Sequence, residues 1–418
     1  MNRIILIGNG FDLAHGLPTR YEHFMDWYWG EWEKILRKSH RQEEVDALCS
    51  FRLASNDKSF VDYLKRFKSR FEHVRKSNFI SELKKISTCV IEKSPFLELI
   101  CKSVETKGWV DIENEYYKLL TSPLNKERYN GRIIKVKDLN EQLQFLREKL
   151  ENYLSSIDIN IQKGKEKIKN IIYSPIKHCD ISVSGVYSLV EHVNHGLICS
   201  DNELIMKLGL YGYSHSDIEY LNEFRKGHDY NDSLVHTYLL ANRFPEELLL
   251  PNEIMLLNFN YTNTANLYLP IAKPGFEINH IHGELSRPNS IIFGYGDELD
   301  ENYSKISNLN DNEYLKNFKS IKYLESDRYR KALEFMDVAP YQVFIMGHSC
   351  GNSDRTFLNT LFEHKNCVSI KPYYHKRKDG KDNYLDIVQN ISRNFTDMKL
   401  MRDRVVNKTF CEPFSEEQ

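Results

Sequence analysis

The sequence predicts an α/β fold: a parallel sheet whose first strand is separated from its neighbours by a large helical insertion. Three observations point there. The run Ile4-Ile5-Leu6-Ile7 opens the chain as a short, continuously apolar strand. Other runs of this kind come only after about residue 250, and the residues between carry helical spacing.

Taken in order, the later strand candidates are EIMLLNFN (253–260), FEINHIHG (276–283), SIIFGYG (290–296), YQVFIMGHS (341–349) and CVSIKPYY (367–374), with MKLMRD (398–403) as a weaker one. Several are bounded by Gly or Asn, as strands buried on both faces of a parallel sheet are. Phe344 and Met346 read as core residues. Between 20 and 250 the clearest helix is 137–155, where Leu139, Leu143, Leu146, Leu150, Tyr153 and Leu154 share one face. Its seam lasts only about two heptads, which indicates core packing rather than a coiled-coil partner. The charge run IQKGKEKIKN (161–170) reads as a solvated helix or loop.

A chain of 418 residues, 41% of them hydrophobic, is long enough to bury a substantial core. With 57 basic against 59 acidic residues the net charge is −2, so no global field steers it towards nucleic acid or an anionic membrane. Neither is expected as a partner. The eight cysteines form no C-x-x-C pair and read as reduced packing residues, Cys350 among them, and no metal is expected. No apolar run approaches the roughly 20 residues that span a bilayer, and the opening run is too short for a signal peptide, so a cytoplasmic location is expected.

The opening strand runs into Gly8-Asn9-Gly10 and then a helix, a geometry in which backbone N–H groups converge and a phosphate is favoured. Taken alone, G-x-G is equally a plain structural turn. The spacing up to Gly16-Leu17-Pro18 is more specific. It resembles the sirtuin signature, whose glycines wrap the phosphates of NAD, and the phrase IGNGFDLAHGLPTRY closely resembles the opening of the AbiH family, bacterial proteins linked to abortive phage infection and related to sirtuin-like domains.

Further resemblances follow in order. LNFNYTNT (257–264) is similar to the strand-end Thr-x-Asn-Tyr-Asp of sirtuin-like domains, with Asn260 on the asparagine and Thr262 where those domains carry Asp. HIHGEL (280–285) resembles their His-Gly step, with His282 on the catalytic histidine. MGHSCGNSD (346–354) resembles the turn that closes the nucleotide site, with Gly347, Ser349 and Asp354 on the motif. WVDIE (109–113) carries a looser resemblance to AbiH proteins. The zinc-binding cysteine pairs of sirtuins are missing, which directs the reading away from protein deacylation. The resemblance implies a Rossmann-like, sirtuin-like domain over 1–20 and 250–418 and a helical insertion lobe over 21–249.

Every matched motif ends a predicted strand, and open α/β sheets bind ligands outside their carboxyl edge. Asn9, Asp12, Asn260, His282 and Ser349 are therefore expected around one pocket. With NAD as ligand, Gly8, Asn9, Gly10, Asp12, Gly16, Gly347, Ser349 and Asp354 are the expected binding residues, and His282 and Asn260 the catalytic ones. Cleavage of the bond between nicotinamide and ribose passes through an oxocarbenium-like transition state. His282 suits activation of water or a ribose hydroxyl, and Asn260 could orient it. His280, two residues earlier, is expected to face the same way and is the second choice of base. Asp12 could contact ribose, stabilise positive charge on the sugar or cap the helix. Asn258 and Asn260 could equally satisfy backbone at a turn. Asp111 and Glu113 read as structural or lobe-contact residues.

The expected function is NAD hydrolysis in antiphage defence, released by a phage-derived trigger or by homo-oligomer formation. The alternative is a sensor that binds a nucleotide without catalysis.

Overall fold

The main sheet is built from β1 (Asn2–Ile7), β2 (Ile254–Asn258), β3 (Phe276–His280), β4 (Tyr341–Met346), β5 (Cys367–Lys376) and β6 (Pro413–Glu416). Every hydrogen-bonded pair is parallel, and the order across the sheet is β3-β2-β1-β4-β5-β6. This is the doubly wound Rossmann-type order, so the fold is α/β as expected. The reversal of order falls between β1 and β4. Every residue of β1, β2 and β4 is buried, which is why Ile4–Ile7, Ile254–Leu257 and Val343–Met346 read as unbroken apolar runs.

The computed structural model describes residues 1–74, 78–107, 111–129, 131, 133–157, 163–226, 231–269 and 275–416. Trp109 and Val110 of WVDIE, and Ile161 and Gln162 of the charge run, lie outside them. Contacts divide the chain into two units. One comprises Met1–Gly16, Ile159–Ile292 and Lys322–Gln418, and the other Leu17–Asp158 and Phe293–Ile321.

The first unit holds the sheet. One face packs Ile4, Leu6, Met255, Leu257, Val343 and Ile345 against helices that include Arg355–Glu363 and Tyr384–Arg393. The other face packs Ile5, Ile7, Leu256, Phe344 and Met346 with Ile168, Ile171 and Ile172 of the helix Glu166–Ile172. The helix thus starts inside the charge run, whose Ile168 is buried. Helices over 186–240 add a core of their own, including Leu189, Val193, Leu208 and Leu221.

The second unit contains the helix Val136–Ser156, whose buried residues include every position of the expected seam. It also contains Tyr21–Lys38 and a three-stranded antiparallel sheet, Glu43–Val45, Cys49–Leu53 and Cys89–Lys93, inside a region expected to be helical. Buried Cys49, Phe51 and Leu53 alternate with less buried residues, the period-2 signal of a half-covered strand. Asp111 caps the helix Ile112–Thr121 by accepting the N–H of Asn114, and buried Glu113 accepts from Lys319 Nζ at 2.8 Å and from the Gly294 amide.

Two other strand expectations need correction. Residues 290–296 form no strand beyond a single bridge at Tyr295, because the chain passes from the first unit to the second between Ile292 and Phe293. An apolar run alone does not separate strand from buried coil. Residues 398–403 lie in the helix Met398–Arg404, capped by Asp397, with Met401 and Arg404 buried three apart.

Candidate functional site

The loops after β1 and β4 meet at the point where the strand order reverses. The Gly8 N–H donates to Met346 O at 3.2 Å and the Gly10 N–H to Gly347 O at 2.8 Å. A Cβ on Gly8 would lie 2.5 Å from His348 Cα, and one on Gly10 2.7 Å from Gly347 Cα. Gly347, at φ 74°, would put a Cβ 2.1 Å from the Phe11 nitrogen. These glycines let two backbones touch, and the amides of Gly8 and Gly10 serve that contact. Gly16, at φ 81° with open space around it, ends the first piece of the sheet unit.

Asp12 sits in the helix Asn9–Ala14 and is 2% exposed. Thr262 donates its hydroxyl to Oδ2 at 2.6 Å, while Oδ1 is buried with no hydrogen-bond partner. Burial pushes this carboxyl up to about 6, against the opposing pull of the Thr262, Thr264 and Asn260 side chains. Asn9 and Ser349 are exposed.

The asparagines after β2 build the turn. Asn258 accepts the Asn260 N–H on Oδ1 and gives its amide to Thr262 O. Asn260 donates to Gly8 O at 3.0 Å, tying this turn to the glycine loop. Both therefore satisfy backbone groups.

His282 lies just past the end of β3. The turn that carries it closes by the Gly283 N–H bonding to His280 O, with Gly283 at φ 88°. Strand alternation therefore stops at His280, and the two histidines engage different groups, contrary to expectation. His280 Nδ1 meets the Asn258 amide at 3.2 Å, and burial lowers the pKa of its ring. His282 Nε2 meets the Tyr323 hydroxyl at 3.1 Å and Asp354 Oδ1 at 3.2 Å. Asp354 Oδ2 in turn faces His348 Nε2 at 3.6 Å. Phe259 fills the space between the rings, 5.0 Å from His282 and 4.2 Å from His348.

The structure thus joins the sequence motifs into one contiguous set: Asp12 with Thr262, Asn260 with Gly8, Gly8 against His348, and His348 through Asp354 to His282. Tyr323 was missed, since no motif surrounds it. The partnership of Thr262 with Asp12 was missed because it spans 250 residues. His348 lies inside MGHSCGNSD (346–354), whose resemblance marks only Gly347, Ser349 and Asp354. His282 and the loops around it are also joined to the point where the chain leaves the sheet unit. The Ile292 N–H donates to His282 O at 2.8 Å, and Tyr323 lies just after the chain's return at Lys322.

A separate cavity of about 420 Å³ is floored by Lys371, Asp180 and Tyr373 and shares no residue with this set. Among the described residues no group of three or more His, Cys, Asp or Glu has the geometry to hold a metal ion, and no helix is long and apolar enough to cross a membrane.

No curated protein and no solved structure matches the chain. One family model does, and it extends from Ile4, in β1, to His375, in β5, taking in both glycine loops, the β2 turn and the His282 step. By that match over residues 4–375 the chain belongs to the bacteriophage abortive infection AbiH family, and with it to phage abortive-infection defence.

Proposed function

We propose that this protein hydrolyses NAD to nicotinamide and ADP-ribose when triggered during phage infection. The observation that carries the reading is the position of the buried His282–Asp354 pair beside glycine loops at the order reversal of a doubly wound parallel sheet, where such folds bind nucleotides. The resemblance of the four motifs to sirtuin-like NAD sites supports the same ligand. The orphaned Oδ1 of Asp12 suits a ribose hydroxyl, which would supply its missing donor. The amides of Gly8 and Gly10 are spent on the neighbouring loop, so phosphate contacts fall to other groups. Water adds at the anomeric carbon as the bond to nicotinamide breaks, and His282 takes the proton of the water. His282 is 4% exposed, which fits a site silent until a trigger opens it.

The same burial favours a second reading, a nucleotide sensor without turnover. Purified protein incubated with NAD, alone, at high concentration and with lysate of phage-infected cells, separates the two by nicotinamide release. Release abolished by His282→Ala and Asn260→Ala supports hydrolysis. Silence in every condition with NAD still bound supports the sensor.

A further inference from the structure

In the second unit an amine is held against a thiol. Lys93, the last residue of the strand Cys89–Lys93, donates from Nζ to Cys101 Sγ in the helix Pro95–Lys107 at 3.2 Å. Two further contacts fix the lysine. Its backbone pairs with Cys49 on the neighbouring strand, and its Nζ lies 5.2 Å from the centre of the Trp29 ring. A second lysine, Lys84, stands beside the first. Partial burial and the charge of Lys93 lower the pKa of the Lys84 amine, so it is the ready acceptor for a proton leaving Lys93.

Cys101 is half-buried, so a small oxidant has a way to the sulfur. Burial raises the pKa of the thiol, against the pull of Lys93 and Lys84, which makes the thiolate the minor form at neutral pH and the reaction slow rather than absent. Other cysteines are placed differently. Cys350 and Cys367 are enclosed, and Cys49 is buried with its sulfur against the Tyr28 hydroxyl at 3.4 Å. Exposed Cys179 faces a carboxylate, Asp180 Oδ1, at 3.9 Å.

We propose that Cys101 and Lys93 form an oxidation-sensitive pair, which hydrogen peroxide converts into a covalent nitrogen–sulfur bridge. In the first step the thiolate takes an oxygen from peroxide. The O–O bond breaks, sulfur loses two electrons, water leaves and Cys101 becomes a sulfenic acid. In the second step the neutral amine of Lys93 attacks that sulfur. An N–S bond forms, the S–O bond breaks, and the hydroxyl leaves as water with a proton from the amine. The product is a sulfenamide, the same linkage a sulfenic acid forms with a backbone nitrogen. It pins the end of the strand Cys89–Lys93 to the helix Pro95–Lys107, and a thiol reductant restores both side chains.

The test treats native full-length protein with hydrogen peroxide, alkylates the remaining thiols, digests with trypsin and maps the peptides by mass. Trypsin does not cut after a lysine whose amine is bonded to sulfur. The expected product is therefore the uncut peptide 86–102, two hydrogens lighter than its reduced counterpart, with cutting at Lys93 restored by dithiothreitol. Lys93→Arg keeps the positive charge but lacks the nucleophilic amine, and is expected to lose the bridge while Cys101 remains oxidisable to a sulfenic acid that dimedone traps. Peroxide treatment in urea should yield no bridge, because the fold no longer holds the pair together. Normal cutting at Lys93 in treated wild type overturns the proposal, whether Cys101 is then found free, trapped by dimedone or in a disulfide with Cys49 or Cys89. So does an uncut peptide that keeps an added oxygen, or an equal yield of bridge in urea. Should Lys93→Arg not fold, the wild-type peptide map in buffer and in urea still decides it.

Discussion

Thr262 donates its hydroxyl to Asp12 Oδ2 across 2.6 Å, joining the turn after β2 to a helix 250 residues earlier. A carboxylate from another part of the chain thus stands beside the threonine. Thr262→Val removes this donor from a carboxyl whose other oxygen already lacks one. The expected loss is about 1–3 kcal/mol in urea unfolding at pH 7. In the Asp12→Asn background the same substitution should cost less, as a double-mutant cycle would register.

Asp12 also gives stability a pH dependence of known sign. Burial raises its carboxyl from 3.8 to about 6, so through that window the folded chain binds more protons than the unfolded one. Stability from this group therefore falls as pH rises from about 4 to above 6, by on the order of 3 kcal/mol. Asp12→Asn should remove this fall. Urea unfolding of both proteins at pH 4 and pH 7 checks it, and an advantage of wild type over the variant that grows with pH would refute it.

Gly347→Ala should be severely destabilising, because it combines a contact of 2.1 Å to the Phe11 nitrogen with φ 74°. A loss above about 4 kcal/mol, or failure to fold, is expected. Gly16→Ala is the control: its φ is 81° but nothing lies within 4 Å, so only the backbone cost of about 1–2 kcal/mol applies. Thermal melts of the two variants should separate clearly.

Lys371 and Asp180 pair at 2.8 Å with side chains 2% and 3% exposed. Lys371→Met leaves a buried carboxylate without its cation, at an expected cost of about 3–5 kcal/mol. Adding Asp180→Leu should restore most of it. Denaturant midpoints of the single and double variants test this.

Thiol labelling should follow burial. Cys350 and Cys367 are fully enclosed, and burial pushes both thiols up, Cys367 to about 12. Cys179 is exposed. Peptide mapping after brief iodoacetamide treatment of native protein should find Cys179 modified well before the other two.

The sheet was legible because its central strands are buried on both faces and therefore read as unbroken apolar runs. The same reading failed at 290–296, where Ile291, Ile292 and Phe293 are buried in coil, and at 398–403, where Met401 and Arg404 mark a helix too short to show its period. At the site, His282, Asn260 and Asp354 were visible because each stands in a short motif. What they meet was not visible, because Tyr323 lies 41 residues from His282, Gly8 252 from Asn260 and Asp354 72 from His282, and nothing in local spacing encodes such pairs. The glycine loop shows the limit of motif reading from the other side. Its residues are those of a phosphate turn, yet packing against Gly347 already demands glycine at 8 and 10.

The position of β1 sets a timetable for the newborn chain. It is made first and lies in the middle of the sheet, between β2 and β4, whose residues begin at 254 and 341. At about 5–20 residues per second, ribosomes need roughly 12–50 s to reach its first neighbour. Throughout that time an apolar strand destined for the middle of the sheet has neither of its native neighbours. The loop that meets Gly347 cannot close until still later, so an incomplete chain has no finished site at the order reversal. For a protein of abortive infection, translation itself thereby withholds the assembled site until most of the molecule exists.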